Sequence, residues 1–390
     1  MAAQAGARSS GSKLEIQYFF YGTLCHVPLL RAVLGREPGM HPATLSGFRV
    51  HMASDGAHDL GFPILVAGEG RARGVLVSVT AAEAERLDYY EAGFAPVIRA
   101  VRDETGAECD ALVYLSDGRW QLGAAWDQAA WASTWGDIAT EAAQDFMAGM
   151  GHIVPERALA RYPMMLVRAA SRLRARQTKP AALRRSVTAD DLVISRHIPA
   201  YARFFAIEEY DLQHSLFAGG MSRTLDRAAF VSGDASVVLP YDPVRDRVLL
   251  IEQFRVGPMA RGDTNPWLIE PIAGRVDPTE TPEQAALREA GEEAGITLSR
   301  LIAAPSFYPS PGAKSEYLYC YLGLADLPDG AGRPGGVEAE GEDIRPHLIS
   351  FDDLMHLVET GEADNGPLLV LALWLARQRP ALRAEAGIKG

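Results

Sequence analysis

The chain has 390 residues, an apolar fraction of 48% and a formal net charge of −12, values typical of a folded protein with two or three domains. The net negative charge disfavours a general nucleic-acid binder, because such proteins need excess cations to neutralise phosphates. Three cysteines lie far apart, at positions 25, 109 and 320, which predicts neither a disulfide framework nor a zinc site.

The first 14 residues are small and polar and predict a loose tail without a secretory signal. Residues 15–118 then alternate short β-rich segments with turns, and they predict one helix, over Ala81–Tyr90. The predicted strands of this small domain are Ile16–Phe20, Phe48–Met52, Gly74–Val79, Pro96–Val101 and Ala111–Leu115. No stretch in the chain holds about 18 uninterrupted apolar residues, so we expect a cytoplasmic protein without a membrane span.

Residues 119–185 are rich in alanine and poor in strand-forming residues, which predicts a helical connector. Trp126, Trp131 and Trp135 recur in it near helical spacing. A basic run follows, made of Arg168, Arg172, Arg174, Arg176, Lys179, Arg184 and Arg185. An anion-binding arm is one interpretation. We favour the other, a solvated connector whose tryptophans pack on a neighbouring element, because amphipathic helices normally carry such faces.

Residues 186–390 predict a second domain of mixed α and β structure, so the chain as a whole is of the α+β class. A strand–loop–helix unit is expected over Trp267–Ile296. The other predicted strands are Val193–Ile198, Phe204–Leu212, Ala235–Pro240, Val248–Glu252 and Tyr317–Leu322, and the closing helices are Phe351–Glu359 and Pro367–Arg377.

The helix of the strand–loop–helix unit has clear ends. Thr281 is a typical N-cap, Pro282 suits the first helical position, and Gln284 stands three residues after the cap. Gly295 predicts the end of the helix.

Three carboxylates of this helix follow one another at i, i+3 and i+4 and therefore share one face: Glu289, Glu292 and Glu293. Like charges this close repel, so a positive group must compensate them. Clustered hard oxygens suit Mg²⁺, with Mn²⁺ as the alternative, and a diphosphate substrate that shares the metal. Arg288 can pair with Glu280 and brace the preceding loop against the helix.

Residues 274–296 resemble the Nudix signature, Gly-x₅-Glu-x₇-Arg-Glu-U-x-Glu-Glu-x-Gly-U with U apolar, and every fixed position is filled. At a background of roughly one in fifteen per residue, a chance match is about 10⁻⁸ per start position, which rejects an ordinary acidic surface helix. The resemblance implies an α/β/α sandwich that hydrolyses a nucleoside diphosphate linked to another moiety. It also implies metal ligands at Glu289, Glu293 and the Ala273 carbonyl, with Glu292 as a catalytic carboxylate close by.

Flanking segments narrow the implied substrate. Pro311 lies 15 residues after Ile296, an offset that resembles the ADP-ribose pyrophosphatase subfamily. The similarity continues through residues 216–222, 239–246, 250–255, 266–273, 340–345 and 364–374. The resemblance implies hydrolysis of ADP-ribose to AMP and ribose 5-phosphate, and a homodimer in which partner residues complete each site.

The same resemblance assigns substrate contacts. It implies that Phe204 and Phe205 flank the adenine and that Arg227 and Arg255 hold the diphosphate, because planar guanidinium groups suit phosphate oxygens.

The loop acids Glu340 and Glu342 would supply a catalytic general base and a further metal contact, and the division of these roles between them stays open. Near Pro311, Lys314 and Glu316 are further candidates, for contacts to the terminal ribose.

In the N-terminal domain a strand runs into a glycine turn whose backbone N–H groups can hold a carboxylate: Tyr21, Gly22, Thr23 and Leu24. A second motif, Leu87–Glu91, ends the predicted helix. Together they resemble the γ-glutamylcyclotransferase-like family, which implies a β-barrel/α domain in which the loop binds substrate and Glu91 handles protons. That family usually has glycine after the glutamate, where this chain has Ala92. An active enzyme and a binding or structural domain both stay open.

The order of the two domains resembles tellurite-resistance-associated proteins, which implies a stress context. The main hypothesis is a Mg²⁺-dependent ADP-ribose pyrophosphatase with a small-molecule substrate and neither nucleic acid nor membrane as partner. Three alternatives stay open: a pyrophosphatase for another nucleoside diphosphate sugar such as GDP-mannose, a sensor that binds ADP-ribose without cutting it, and γ-glutamyl chemistry as the main activity.

Overall fold

The computed structural model describes residues 15–56, 59–116, 118–177, 181–336 and 341–388. The chain divides into two compact units, Met1–Ala169 and Ala170–Gly390. The division falls inside the segment predicted as a helical connector, residues 119–185. Helices and strands occur in both units, which confirms the predicted α+β class.

Where the first unit is described, its strands are β1 (Ile16–Phe20), β2 (His41–Ser54), β3 (Asp59–Val79), β4 (Ala95–Asp103), β5 (Glu108–Leu115) and β6 (Gln121–Ala125). Its helices are α1 (Val27–Leu34), α2 (Ala81–Tyr90), α3 (Gln128–Trp131), α4 (Asp137–Ala148), α5 (Pro155–Leu159) and the start of α6 (Tyr162–Ala175). The bounds predicted for β1 and α2 are confirmed residue by residue.

Five of these strands close into a barrel in the order β3-β1-β5-β4-β2, because β2 pairs with β3 as well as with β4. The first strand is antiparallel to β3, with Tyr18 opposite Val77, and parallel to β5. Buried side chains of Phe19, Leu45, Val101 and Val113 belong to one apolar cluster. Alternate residues of a strand point to opposite faces, so each strand gives one face to this cluster. The predicted β-barrel/α domain is confirmed.

The segment predicted as a helical connector is only partly helical. It begins with strand β6 (Gln121–Ala125), which pairs with β2, then forms α3 to α6, and its residues 181–185 are neither helix nor strand. Trp131 is buried and its indole N–H donates to the Gly61 carbonyl at 2.8 Å, so this tryptophan packs on a neighbouring element as we expected. Several cations of the basic run are paired. Arg174 Nε lies 2.8 Å from Asp234 Oδ2, whereas Lys179 lies outside the described residues.

The described residues of the second unit form the further strands β7 (Leu192–Ala202), β8 (Ala206–His214), β9 (Leu225–Val231), β10 (Ala235–Asp242), β11 (Arg247–Phe254), β12 (Trp267–Glu270), β13 (Ile272–Arg275), β14 (Arg300–Ala303), β15 (Leu318–Leu324) and β16 (Arg345–Ser350). Its helices after α6 are α7 (Val256–Arg261), α8 (Pro282–Ala294), α9 (Phe351–Thr360) and α10 (Gly366–Glu385).

Strand β10 lies inside a seven-stranded mixed sheet, antiparallel to β11 and β13 and parallel to β15. Its side chains alternate between the two faces of the sheet. Val237 and Leu239 belong to the apolar cluster that includes Leu371 of α10. Val238 belongs to the opposite cluster, which includes Ala290 of α8. Helices therefore cover both faces, and the predicted α/β/α sandwich is confirmed.

Strands β7, β8 and β9 form a separate three-stranded sheet. The strand predicted from Phe204 begins at Ala206 instead, because the Arg203 N–H donates to the Phe205 carbonyl at 2.8 Å and closes a turn there. We did not predict β9. Most of its residues are exposed or half-buried, so it lacks the apolar run that marks a core strand. Across the described ranges, no helix is both long and apolar enough to cross a membrane.

Candidate functional site

Helix α8 has the predicted ends. The Thr281 hydroxyl accepts from the Gln284 N–H at 3.2 Å, and the Gln284 side chain accepts from the Thr281 N–H at 2.8 Å. This reciprocal pair satisfies N–H groups that have no partner within the helix. Gly295 ends the helix at φ +63°, a left-handed conformation that favours glycine. Both ends fix the position of the acidic face between them.

Arg288 ties this helix to the loop before it, as predicted. Its Nε and Nη2 each donate to one carboxylate oxygen of Glu280 at 3.0 Å, and Nη2 also donates to the Arg275 carbonyl at 3.0 Å. The third nitrogen, Nη1, lies 2.6 Å from Glu289 Oε1 and 2.9 Å from Glu292 Oε2. One guanidinium group thus braces the loop and partly neutralises two carboxylates.

Two of the carboxylates are held where a negative charge is costly. Glu293 is 2% exposed and accepts the Ala273 N–H at 3.1 Å, and burial raises its pKa to about 8. Burial raises the pKa of Glu289 to about 7, although Arg288 opposes this shift. The negative charge of Glu342 raises both pKa values further. Burial, aided by the neighbouring carboxylates, therefore makes the charged forms of both groups costly unless a cation lies beside them.

The donor set fits a hard divalent cation. Among the residues that the structure describes, no three acidic, histidine or cysteine side chains lie close enough together to bind a metal ion as they stand. The guanidinium group of Arg288 lies beside Glu289 and Glu292 instead. Buried carboxylates with raised pKa values are stabilised by a nearby positive charge in place of their protons. Oxygen donors of this kind are those that Mg²⁺ and Mn²⁺ prefer.

A glycine-rich loop packs on the end of α8 and leads toward Glu342. The Gly336 N–H donates to the Glu292 carbonyl at 3.2 Å. A Cβ atom on Gly335 would lie 2.3 Å from the Glu293 carbonyl oxygen, so the backbone approaches more closely than any other residue allows. Glu340, the other predicted loop acid, lies outside the described residues.

The two predicted phosphate-binding arginines have different surroundings. Arg255 Nε donates to Glu270 Oε2 at 2.7 Å, and its charge lowers the pKa of Glu293, which places it beside the acidic face. Glu270 was missed, since no local pattern marks it. Arg227 is exposed on β9, donates to the Asp226 carbonyl at 2.7 Å, and forms no ion pair with the α8 carboxylates in the described part of the chain.

Phe204 and Phe205 form a half-exposed aromatic pair, with centroids 4.7 Å apart and planes at 88°. Phe205 also lies 4.7 Å from Phe230. The Arg275 guanidinium stacks over Phe204 at 4.4 Å, while its carbonyl accepts from Arg288. Arg275 therefore links the aromatic pair to the carboxylates. No sequence pattern indicated this link, because Arg275 fills an unspecified position of the signature.

The residues near Pro311 form a second group beside these rings. Pro311 is exposed in a turn closed by the Lys314 N–H, which donates to the Ser310 carbonyl at 2.8 Å. Lys314 Nζ lies 2.7 Å from Glu316 Oε2 and 5.6 Å from the centroid of Phe230. Lys314 and Glu316 therefore lie together, next to the ring that contacts Phe205.

In the first unit, the residues of the predicted loop and the predicted acid line one pocket: Tyr21, Gly22, Thr23, Leu24 and Glu91. Phe62, Pro63, Phe94 and Tyr114 complete its walls and were missed, because they come from separate elements. Gly22 cannot be replaced without movement, since a Cβ atom there would lie 2.2 Å from Pro63 Cγ.

Glu91 follows α2 as its C-cap residue. Burial raises its pKa to about 7, and no hydrogen bond to its carboxyl occurs among residues 15–56, 59–116 and 118–169 of this unit. Nearby, the Tyr21 hydroxyl donates to the Tyr114 carbonyl at 2.9 Å, which fixes the ring beside the loop. A carboxyl that titrates near neutral pH can both accept and return a proton.

Comparison with known proteins agrees with both units. A family profile for the NUDIX domain matches residues 232–371, and one for "Gamma-glutamyl cyclotransferase, AIG2-like" matches residues 18–133. The chain is 39% identical over 196 residues to the ADP-ribose pyrophosphatase of Escherichia coli (strain K12), covering 50% of this chain and 93% of that protein.

Two other relatives are similar to the same half of the chain at lower identity. The ADP-ribose pyrophosphatase of Haemophilus influenzae is 37% identical over 187 residues, covering 47% of this chain and 86% of that protein. The GDP-mannose pyrophosphatase of Enterobacter sp. (strain 638) is 32% identical over 149 residues, covering 38% and 76%. With an intact signature on α8, a matching fold and relatives covered over most of their length, the chain belongs to the Nudix hydrolase family and carries an N-terminal domain of the γ-glutamyl cyclotransferase, AIG2-like type.

Proposed function

We propose that the Nudix unit hydrolyses the pyrophosphate bond of ADP-ribose, giving AMP and ribose 5-phosphate, with Mg²⁺ as cofactor. The observation that carries the proposal is the buried, charge-rich acidic face of α8, where Glu289 and Glu293 have raised pKa values beside Arg255. The names of the relatives with 37–39% identity support this substrate. The GDP-mannose pyrophosphatase at 32% identity makes that nucleotide sugar the alternative.

In this proposal Glu289, Glu293 and the Ala273 carbonyl hold the metal, with Glu342 as a further contact. A metal held by these residues would supply Lewis-acid chemistry, polarising the phosphate and acidifying a nearby water molecule. Arg255 neutralises the diphosphate, and its bond to Glu270 keeps the guanidinium in place.

Two further groups of residues act around the acidic face. Glu292, at its exposed edge, and the loop acids handle the proton of the attacking water, with Glu340 as the proposed base. The adenine packs on Phe204 and Phe205, and Lys314 and Glu316 contact the terminal ribose. The Lys314–Glu316 pair, 2.7 Å long, offers both a donor and an acceptor to sugar hydroxyls.

The test is a substrate panel on the full chain. ADP-ribose and GDP-mannose are incubated separately with Mg²⁺, Mn²⁺ or a chelator, and AMP, GMP and sugar phosphates are separated by chromatography. We expect AMP and ribose 5-phosphate only with metal present. Faster turnover of GDP-mannose would overturn the substrate assignment. Tight binding of ADP-ribose without product, in saturating Mg²⁺, would instead favour a sensor.

We also propose that two chains associate through the three-stranded sheet of the second unit. Leu192, Val193, Ile194 and Ile198 of β7 are each 43–49% exposed, and exposed apolar strands are typical of pairing surfaces. In this proposal the partner brings its Arg227 toward the site, whereas within one chain Arg227 donates to the carbonyl of its neighbour Asp226. Light scattering tests it: the wild type should have twice the chain mass, and Ile194→Glu should have the mass of one chain.

For the first unit we propose a second activity, intramolecular cyclisation of a γ-glutamyl amide. The α-amine nitrogen attacks the γ-carbonyl carbon, the amide C–N bond breaks, and 5-oxoproline and a free amine are released. Glu91 takes the proton from the attacking nitrogen and returns it to the leaving nitrogen. Its burial and its place opposite the loop Tyr21–Leu24 support this role.

The test is release of 5-oxoproline by the wild type, compared with Glu91→Gln and with Glu85→Gln, an exposed glutamate on the same helix. We expect release to be lost only in Glu91→Gln. If none of the three chains forms 5-oxoproline, the domain is a binding or structural one.

We also propose a role in tellurite stress, because the order of the two domains resembles that of tellurite-resistance-associated proteins. The net charge of −12 supports small molecules rather than nucleic acid as partners. Deletion of the gene should lower survival in tellurite, and expression of the Glu293→Gln chain should restore survival only if hydrolysis is not required.

A further inference from the structure

A cavity of about 410 Å³ opens beside Glu91 in the first unit. Small-molecule sites typically enclose about 300–1,000 Å³, so this cavity is large enough for a ring-sized group. Aromatic side chains dominate its walls: Phe62, Phe94, Trp120, Trp131, Trp135 and Phe146. The sequence motifs of this unit do not account for it.

The cavity adjoins the pocket at the Tyr21–Leu24 loop. Thr23, Phe62, Glu91 and Phe94 line both spaces. A molecule whose carbonyl group lies between the loop and Glu91 therefore extends into the aromatic cavity on its far side.

Much of the wall comes from chain beyond the matched cyclotransferase segment, residues 18–133. Trp135, Phe146 and Tyr162 stand outside that segment and line the cavity. The wall is held by polar contacts: the Trp131 indole N–H bonds to the Gly61 carbonyl at 2.8 Å, and the hydroxyls of Tyr90 and Tyr162 are 3.2 Å apart. These bonds engage the polar tips of the side chains, so the rings fix the shape of the cavity.

The charges of the wall favour an uncharged occupant. Arg119 is the one cationic side chain that lines the cavity in the described part of this unit, and its Nη2 lies 3.4 Å from the Gly93 carbonyl. An amine portion that carries a carboxylate, such as an amino acid, would lose its hydration with little compensation. A flat apolar group instead packs against the tryptophan and phenylalanine rings.

We propose that this cavity binds the apolar, ring-bearing amine portion of a γ-glutamyl amide whose glutamyl end lies at the Tyr21–Leu24 loop. The proposal rests on the γ-glutamyl chemistry proposed above, and it adds the class of amine that leaves. A γ-glutamyl arylamide fits this description, and γ-glutamyl-alanine does not.

The experiment measures binding separately from turnover. The full chain with Glu91→Gln, which should not cleave these amides, is titrated calorimetrically with γ-glutamyl-naphthylamide, γ-glutamyl-alanine and ε-(γ-glutamyl)-lysine, and release of 5-oxoproline is followed with Glu91 intact. We expect the arylamide to bind at least about tenfold more tightly than either amino-acid amide. Leu166→Trp fills the cavity and should weaken arylamide binding by about tenfold or more while changing the binding of γ-glutamyl-alanine by less than about twofold.

Two further variants distinguish filling of the cavity from a general loss of folding. Leu159→Trp places the same ring at a cavity residue that is 39% exposed, and Leu122→Trp adds one at a 57% exposed strand position outside the cavity. Leu159→Trp should weaken binding of the arylamide, and Leu122→Trp should leave it unchanged. Equal affinity for the three ligands, no measurable binding, tighter binding of the lysine amide, or arylamide affinity unchanged in both cavity variants overturns the proposal. Arylamide preference without release of 5-oxoproline contradicts the cyclisation activity while supporting the cavity assignment.

Discussion

A Cβ atom at Gly274 would lie 1.7 Å from Oε1 of Glu289 and 2.0 Å from its Cδ. The first glycine of the signature therefore keeps space for a carboxylate fifteen positions further along the chain. This contact gives a physical reason for the spacing of the signature between Gly274 in the loop and Glu289 on the helix.

The first prediction follows from this contact. Gly274→Ala should displace the whole Glu289 side chain and lower pyrophosphatase turnover by about 100-fold, comparable to the loss of one charge-stabilising group. Gly291→Ala, on the same helix with no atom within 4 Å of its added Cβ, is the matched control. It should keep its activity and gain about 0.5–1 kcal/mol of stability. Equal activity of the two variants would contradict a role of this spacing.

The second prediction concerns charge at the acidic face. Glu293→Gln keeps an acceptor for the Ala273 N–H but removes the carboxylate that would hold the metal, so turnover should fall by about 10³-fold without loss of stability. Turnover is measured in saturating Mg²⁺, and the unfolding midpoint is measured without metal. The control is Glu359→Gln, at an exposed position of α9. An active Glu293→Gln chain would refute its assignment as a metal ligand.

The third prediction concerns the brace formed by Arg288. Lysine keeps the charge but cannot bond both oxygens of Glu280 and the Arg275 carbonyl at once. Arg288→Lys should therefore lower the free energy of unfolding by about 1–2 kcal/mol and reduce turnover. Arg300→Lys alters an exposed pair with Glu385 and should do neither. Denaturant unfolding of both variants decides between a brace and a dispensable ion pair.

The fourth prediction concerns pH and the first unit. The pKa of Glu91 is about 7 in the folded chain, raised by burial from its ordinary 4.5. Between these values the folded state binds more protons than the unfolded state, so stability falls as pH rises from about 4.5 through 7 and is lower by about 3 kcal/mol above it.

Glu91→Gln should remove this loss, and the difference in unfolding free energy between variant and wild type should grow from pH 5 to pH 8. Glu85→Gln, at an exposed position of α2, is the control variant for the effect of the substitution itself. A wild-type chain whose difference from Glu91→Gln is constant with pH would show that Glu91 titrates normally. Cyclisation, in contrast, should accelerate as pH rises through about 7, because the base acts in its deprotonated form.

Local patterns were sufficient to predict much of the fold and the acidic face. Helix α8 could be read from Thr281 to Gly295, because capping residues and helical spacing depend only on neighbours along the chain. The same spacing put Glu289, Glu292 and Glu293 on one side. The strand β1 and the helix α2 were also predictable, since their patterns of apolar residues and turns are local in sequence.

The tertiary structure decided which distant residues meet. Arg275 stacks on Phe204, Glu270 holds Arg255, and the cavity beside Glu91 is walled by rings from several separate elements. None of these follows from spacing, because each depends on loop paths and on strand order rather than on periodicity. The sequence alone determined the chemistry that the acidic face offers. Only the fold decided what surrounds that chemistry, since burial and long-range packing set the pKa values and the shape of each site.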